Sequence, residues 1–204
     1  MRLYRPLLLS RVIFPKAVFR ISGPQKALYL TFDDGPDPVS TPEVIDILAK
    51  YNIRAMFFLN GRNAEMYPRL VGAIKASGHL VGNHGYDHIN GWLSATRKYL
   101  ANVSSGAQLS SDRWFRPPYG RLRYRQYLKL SRSYKIVFWD VMPYDFDQKF
   151  GKELSLKVLR EKVRAGSIIV LHDTESSSCV SILSAFLEHA LGCGYLFKIL
   201  SDQD

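Results

Sequence analysis

Leu28-Tyr29-Leu30-Thr31-Phe32-Asp33-Asp34-Gly35-Pro36 is an apolar, β-prone run that stops at two adjacent carboxylates and then at a glycine-proline turn. Neighbouring residues of an extended segment point to opposite sides, so one carboxylate is free to ligate a metal while Gly35 bends the chain and brings its neighbour close. Outward from this stretch, short apolar runs alternate with segments of helical period as far as the C-terminus. Strands are expected near Ala27 to Phe32, Ala55 to Leu59, Leu80 to Gly82, Trp114 to Arg116, Ile136 to Trp139, Ser167 to Leu171 and Tyr195 to Ile199. The helices between them carry start and stop signals: Thr41-Pro42-Glu43 as cap, first-turn proline and acid; Pro68 opening and Gly78 closing another; Ser94 as a cap; Gly166 and Gly192 ending two more.

Seven strands alternating with about six helices argue for a parallel sheet covered by helices, and periodicity alone leaves open whether that sheet is flat or closed. The reactive side chains favour closure. Asp33 and Asp34 follow the first expected strand, His84 and His88 the third, Arg116 and Tyr119 the fourth, Asp140 and Asp145 the fifth, His172 and Asp173 the sixth. Five strand ends contribute to one site most simply where they ring a common mouth, as in a (β/α) barrel.

Composition is consistent with one globular unit: 204 residues, 47% hydrophobic, with no repeat or low-complexity run. The expected division is a basic and apolar N-terminal segment, residues 1–26, followed by a catalytic domain, 27–204. The net charge is +10, with clusters at Arg2, Arg5, Arg11, Lys16 and Arg20 and again from Arg121 to Lys135. No nucleic-acid-binding motif accompanies it, so nucleic acid is not expected as a partner. Leu7-Leu8-Leu9 and Val12-Ile13-Phe14 are broken by Pro6, Arg11 and Pro15. They are too short to span a bilayer and precede no small-residue cleavage site. The expected location is cytoplasmic, or membrane-peripheral through this segment. Cys179 and Cys193 bracket one expected helix, about 20 Å apart at helical rise, too far for a disulfide.

Asn83-His84-Gly85-Tyr86-Asp87-His88 spaces two imidazoles four residues apart, able to converge on one ion with Asp34 as third ligand. One oxygen and two nitrogens leave positions open, which suits zinc and tolerates cobalt, nickel or iron.

Thr-Phe-Asp-Asp-Gly-Pro, Asn-His-x-x-x-His, Phe-Arg-Pro-Pro-Tyr-Gly, the Trp-Asp segment ending in Asp145, and Ile-Val-Leu-His-Asp stand in the order and spacing of a known family. From about Ala27 onward the chain resembles the polysaccharide deacetylases of carbohydrate esterase family 4, the chitooligosaccharide-deacetylase homology domain. The resemblance implies a distorted, TIM-like (β/α) barrel of about seven parallel strands and metal-dependent hydrolysis of N-acetyl, sometimes O-acetyl, groups on glycans. It implies Asp33 as catalytic base, Asp34, His84 and His88 as metal ligands, and His172 as general acid. It further implies that Arg116 orients the base, that the Tyr119 backbone N–H donates to an oxyanion, and that Asp145 partners the acid histidine.

Three positions depart from the family pattern: Gly85 stands where a hydroxyl residue is common, Met142 where an acid is, and Phe146 where tryptophan is. They raise an alternative, a catalytically impaired relative that binds glycan. The same two-histidine, one-carboxylate set also serves iron(II) oxygenases, a reading that the paired acid, the arginine and the remote histidine fit less well. His79 and His189 match no motif. Trp92, Tyr86, Tyr144 and Phe146 are candidates for stacking on sugar rings or for packing, and Asp173 for capping the helix that follows it.

Overall fold

In the computed structural model, residues 3–111 and 113–201 are described, except for the Leu8 side chain. Arg2 of the N-terminal basic cluster and residues 202–204 lie outside them. The elements in chain order are α1 (Leu8–Ile13), β1 (Ala27–Asp33), α2 (Ser40–Lys50), β2 (Met56–Leu59), α3 (Gly61–Met66), α4 (Pro68–Ala76), β3 (Leu80–Asn83), α5 (Thr96–Ala107) and β4 (Trp114–Phe115). A 3₁₀ turn at Pro118–Gly120 leads to α6 (Tyr124–Leu130), β5 (Lys135–Ile136), α7 (Lys152–Lys162), β6 (Ile168–His172), α8 (Cys179–Gly192) and β7 (Leu196–Lys198).

All seven strands pair in parallel, in the order β5-β4-β3-β2-β1-β6, with β7 also on β1. The sheet curls, and chain outside the strands bridges its two ends: Val141 pairs with Ile169, Val18 with Val137 and Arg20 with Ser167. The result is the distorted barrel that the strand-end residues had favoured. β1 pairs with β2, β6 and β7 and is buried along its whole length, as a parallel strand covered on both faces must be.

The period of two along β1 sorts its side chains. Leu28, Leu30 and Phe32 face outward into the core shared with Val44 and Leu48 of α2 and Leu183 and Phe186 of α8. Ala27 and Tyr29 face inward with Met56, Phe58, Val137 and Ile168. Thr31 and Asp33 share that inward parity, so the pattern that builds the core also aims the first carboxylate into the barrel.

Several helix starts differ from expectation. α2 begins at Ser40, and its first amides are served by Asp37, whose Oδ1 accepts from Val39 N at 3.0 Å and Ser40 N at 2.8 Å. Thr41 is already inside the helix. Ser94 does not cap α5, which follows Ala95 without a side-chain cap. The short α3, capped by Asn60, carries too few turns for a helical period to show in sequence. Cys179 is buried at the start of α8 and Cys193 exposed at its end, both as free thiols.

The N-terminal segment lies against the barrel. Phe14 stacks on Phe138 and Phe19 on Phe138, with ring centroids 5.5 and 4.7 Å apart. Tyr4 packs on Tyr144 and Phe150, and its carbonyl accepts from Met142 N at 3.0 Å. No described helix is long and apolar enough to cross a membrane.

Candidate active site

A cavity of about 280 Å³ opens at the C-terminal ends of the strands, walled by Asp33, Asp34, His84, His88, Tyr119, Met142, Phe146 and His172 among others. Directly behind it, beneath Asp33, lies Arg116, a fully buried guanidinium. Nη1 donates to Asp33 Oδ1 and to Thr31 Oγ1, both at 2.7 Å, while Nη2 donates to Phe138 O at 2.9 Å and Nε to Val137 O at 3.2 Å. The plane lies 4.2 Å from the Phe58 ring centroid. Burial pulls its pKa below the ordinary value against the charge of Asp33. So enclosed, the guanidinium fixes one oxygen of Asp33 and leaves Oδ2 toward the cavity, 3.9 Å from His84 Nε2.

Asp34 leaves the strand with φ at 76°, a left-handed conformation costly for a residue with a Cβ. The turn is held from several sides: Asn63 Nδ2 donates to Asp34 O at 2.9 Å, Asn60 N to Gly35 O at 2.9 Å, and Gly35 N to Asp173 Oδ1 at 3.2 Å. A Cβ on Gly35 would sit 2.1 Å from Asp173 Oδ2, so glycine is required here by Asp173. Asp173 also accepts from Thr41 Oγ1 at 2.6 Å, and burial raises its pKa to about 8. It braces the acidic turn and does not cap α8, contrary to the sequence expectation.

Asp34 Oδ1 stands 3.0 Å from His88 Nε2 and 3.4 Å from His84 Nε2. His84 Nδ1 lies 2.8 Å from the Arg116 carbonyl, which only accepts, so Nδ1 carries the proton and Nε2 turns its lone pair to Asp34. Burial lowers the His84 pKa to about 4, keeping the ring neutral. Asp34 is held below the usual carboxylate range: burial works against the charge, and His88, His84 and His172 outweigh it. Asp34 Oδ1 is buried without a well-formed hydrogen bond. Three ligand atoms within 4.8 Å of one another, one of them an orphaned carboxylate oxygen and one an unprotonated imidazole nitrogen, suit a divalent cation.

On β6, in register with Asp33, His172 meets a different partner. Its Nδ1 donates to Asp145 Oδ1 at 2.9 Å, and its backbone N to Asp145 Oδ2 at 2.7 Å. Asp145 is itself buried. Burial opposes a charge on His172, but Asp145, helped by Asp34 and Asp33, raises its pKa to about 9. Nε2 then carries a proton at neutral pH. The Phe146 ring packs edge-on to the imidazole, centroids 4.8 Å apart.

The structure therefore brings Asp33, Asp34, His84, His88, Tyr119 and His172 to one cavity, with Arg116 and Asp145 directly behind it. Tyr119 has φ of 59° and His88 of 53°, two more left-handed residues at this mouth. Asp140 is elsewhere, bound by Arg164 and Ser167, whose Oγ donates at 2.7 Å. His79 accepts from Ala55 N and is buried, and His189 lies beside Cys193. Of the candidate stacking rings only Phe146 lines the cavity, since Tyr144 packs on Tyr4 and Tyr86 bonds Glu65. Gly85, at φ 79°, leaves the histidine loop braced by asparagines: Asn83 Oδ1 accepts from Gly85 N at 2.7 Å and Asn102 Oδ1 from Tyr86 N at 3.0 Å. Sequence reading placed Asp173 at the sixth strand end but gave it a cap's role, and it missed Trp139 and Arg121 in this neighbourhood. Only the position of Asp173 beside His172 offered a signal.

A family model described as polysaccharide deacetylase matches residues 20–139. A chitooligosaccharide deacetylase of Azorhizobium caulinodans is 36% identical over 163 residues, 76% of this chain and 77% of that protein. A peptidoglycan-N-acetylglucosamine deacetylase of Bacillus cereus is 34% identical over 169 residues, 78% of this chain; the match spans 61% of that relative's length. Among solved structures, the Bc1960 peptidoglycan N-acetylglucosamine deacetylase superposes with a TM-score of 0.85 at 28% identity, covering 96% of this chain and 95% of that one. Fold, motif geometry and relatives agree, and the chain belongs to the polysaccharide deacetylase family.

Proposed function

We propose that the protein is a metal-dependent hydrolase that removes N-acetyl groups from an N-acetylglucosamine-containing glycan, such as peptidoglycan, a chitin-like oligosaccharide or a related polymer. The observation that carries this reading is the pairing, in one cavity, of three convergent ligand atoms on Asp34, His84 and His88 with a histidine, His172, held by a buried carboxylate. A divalent cation held by Asp34, His84 and His88, for which zinc suits the donor set, supplies Lewis-acid polarisation of the acetyl carbonyl and acidifies water.

The chain's own groups do the rest. Asp33, with Oδ1 held by Arg116, takes a proton from the attacking water at Oδ2. The Tyr119 amide, at the cavity wall, donates to the oxyanion that forms on the acetyl oxygen. His172, ring fixed by Asp145, gives its Nε2 proton to the departing amine, which is a poor leaving group without it. Phe146 and Met142 line the same cavity and set its apolar wall toward the sugar.

Acetate release from a panel of acetylated glycans, with and without a chelator, tests the reading. Chelator-sensitive release is expected. Glycan binding without release under any added divalent metal identifies the impaired, glycan-binding alternative. Oxygen consumption would point to oxygenase chemistry.

A further inference from the structure

A second cavity of about 470 Å³ runs away from the first and shares its wall at Tyr119, Gly120, Arg121 and Trp139. It is a groove between the N-terminal segment, which lends Leu3, Leu7, Leu9 and Ile13, and the barrel, which lends Trp92 and Tyr124. At its lips and beyond them, large apolar side chains point to solvent: Leu9 is 62% exposed, Val12 75% and Leu93 83%. Their clustering around one groove marks a face rather than scatter.

The charge is as uneven as the hydrophobicity. Residues 1–32 and 113–139 contain fourteen of the 28 basic side chains and none of the 18 acidic ones. These two stretches meet in the fold: Lys16 N donates to Tyr127 Oη at 2.8 Å, Phe14 packs on Tyr127, and Val18 N donates to Ile136 O at 2.8 Å. No described carboxylate pairs with Arg11, Lys16, Arg121 or Arg123. Arg121, at the junction of the two cavities, stacks 5.3 Å over Trp92 and 6.0 Å over Tyr119. Arg123 holds the Trp92 carbonyl, with Nε at 3.0 Å, and so fixes the exposed indole at the groove's edge.

Exposed leucine and valine, a tryptophan and a tyrosine at the margin, and arginines free of acids are the complement of an anionic lipid surface, where rings sit at headgroup depth and cations meet phosphate. A second copy packed on the same face would set like charge against like. Nucleic acid would find phosphate partners there but no use for the exposed aliphatic side chains.

We propose that this face docks on an anionic lipid bilayer and holds the catalytic mouth beside glycan carried at that surface. The second half of this statement rests on the deacetylase reading; the docking does not.

The test is flotation of the full chain with mixed phosphatidylglycerol–phosphatidylcholine vesicles and with phosphatidylcholine alone, using the wild type and the combined variant Leu9→Ser, Val12→Ser, Leu93→Ser, whose altered side chains all face solvent. Binding to the anionic vesicles is expected to weaken with salt, to be at least about tenfold weaker on phosphatidylcholine, and to fall at least about tenfold in the variant. Acetate release from a short soluble glycan should be unchanged in that variant. No binding by the wild type, equal binding to both vesicle types, or full binding by the variant would each overturn the proposal. So would a wild-type dimer, split by the variant, that ignores vesicles. Vesicle binding lost in the variant supports the docking face even where no glycan is deacetylated, a result that would strike only at the catalytic reading.

Discussion

His84 and His172 line the same cavity, both largely shielded from water, yet the fold drives them in opposite directions, to about 4 and about 9. Burial pushes each toward neutrality. What separates them is the group at the second ring nitrogen: the Arg116 carbonyl for His84, at 2.8 Å, and the Asp145 carboxylate for His172, at 2.9 Å. A carbonyl fixes a tautomer but adds no full charge, and Arg116 itself sits nearby. A buried carboxylate adds a full negative charge, so the ring keeps its proton. One side of the mouth is thereby made to receive a cation and the other to deliver a proton.

The strongest test removes the ligand side. His84→Ala or Asp34→Ala should abolish stoichiometric zinc binding, measured by metal analysis after dialysis, and reduce acetate release to background. Activity at wild-type level without bound metal would break the contrast at its root. Asp33→Asn should retain the metal while losing roughly 10²- to 10⁴-fold in acetate release, because it removes a base and leaves the three ligand atoms alone. Loss of metal in that variant would show that Asp33 belongs to the ligand set.

On the charged side, His172→Ala should lose a comparable factor, roughly 10² to 10⁴, on acetamides. The loss should shrink on acetyl esters with activated leaving groups, which need no proton to depart. Equal losses on both substrate classes would remove His172 from leaving-group protonation. Asp145→Asn should have the smallest effect, about tenfold near neutral pH, since the amide oxygen can still orient the ring. Its signature is in the pH profile. With the His172 pKa raised, the acid form persists below about 9 and is lost as pH rises through that value. In the variant the alkaline limb of kcat/KM should move down toward the ordinary histidine range, near 6.5. An unmoved limb would assign it to another group.

Much of this architecture could be read from residue order. The seven strands appear where short apolar runs stood, most plainly β1, β2 and β6, where burial on both faces of a parallel sheet leaves a continuous apolar signature. Elements decided by a turn or two were less legible. α3 is six residues with a glycine and three polar side chains, and α2 takes its cap from Asp37 although Thr41-Pro42-Glu43 matches the local rule better. Asp173 looked like a helix cap because local spacing allows one. Its partners, Gly35 and Thr41, lie 138 and 132 residues away.

By itself the chain's order determined the alternation that points Asp33 inward, the spacing that lets His84 and His88 converge, and the motif series that marks the family. These are local or periodic properties, set by backbone geometry within a few residues. The tertiary structure alone decided how the sheet closes, through Val18, Arg20 and Val141, that Arg116 is sealed beneath Asp33, and that two histidines of one cavity differ in charge. Each of these depends on which distant group is brought within hydrogen-bond reach and on how much water is excluded. Contact free energies of that kind are properties of the assembled fold and leave no periodic trace in the sequence.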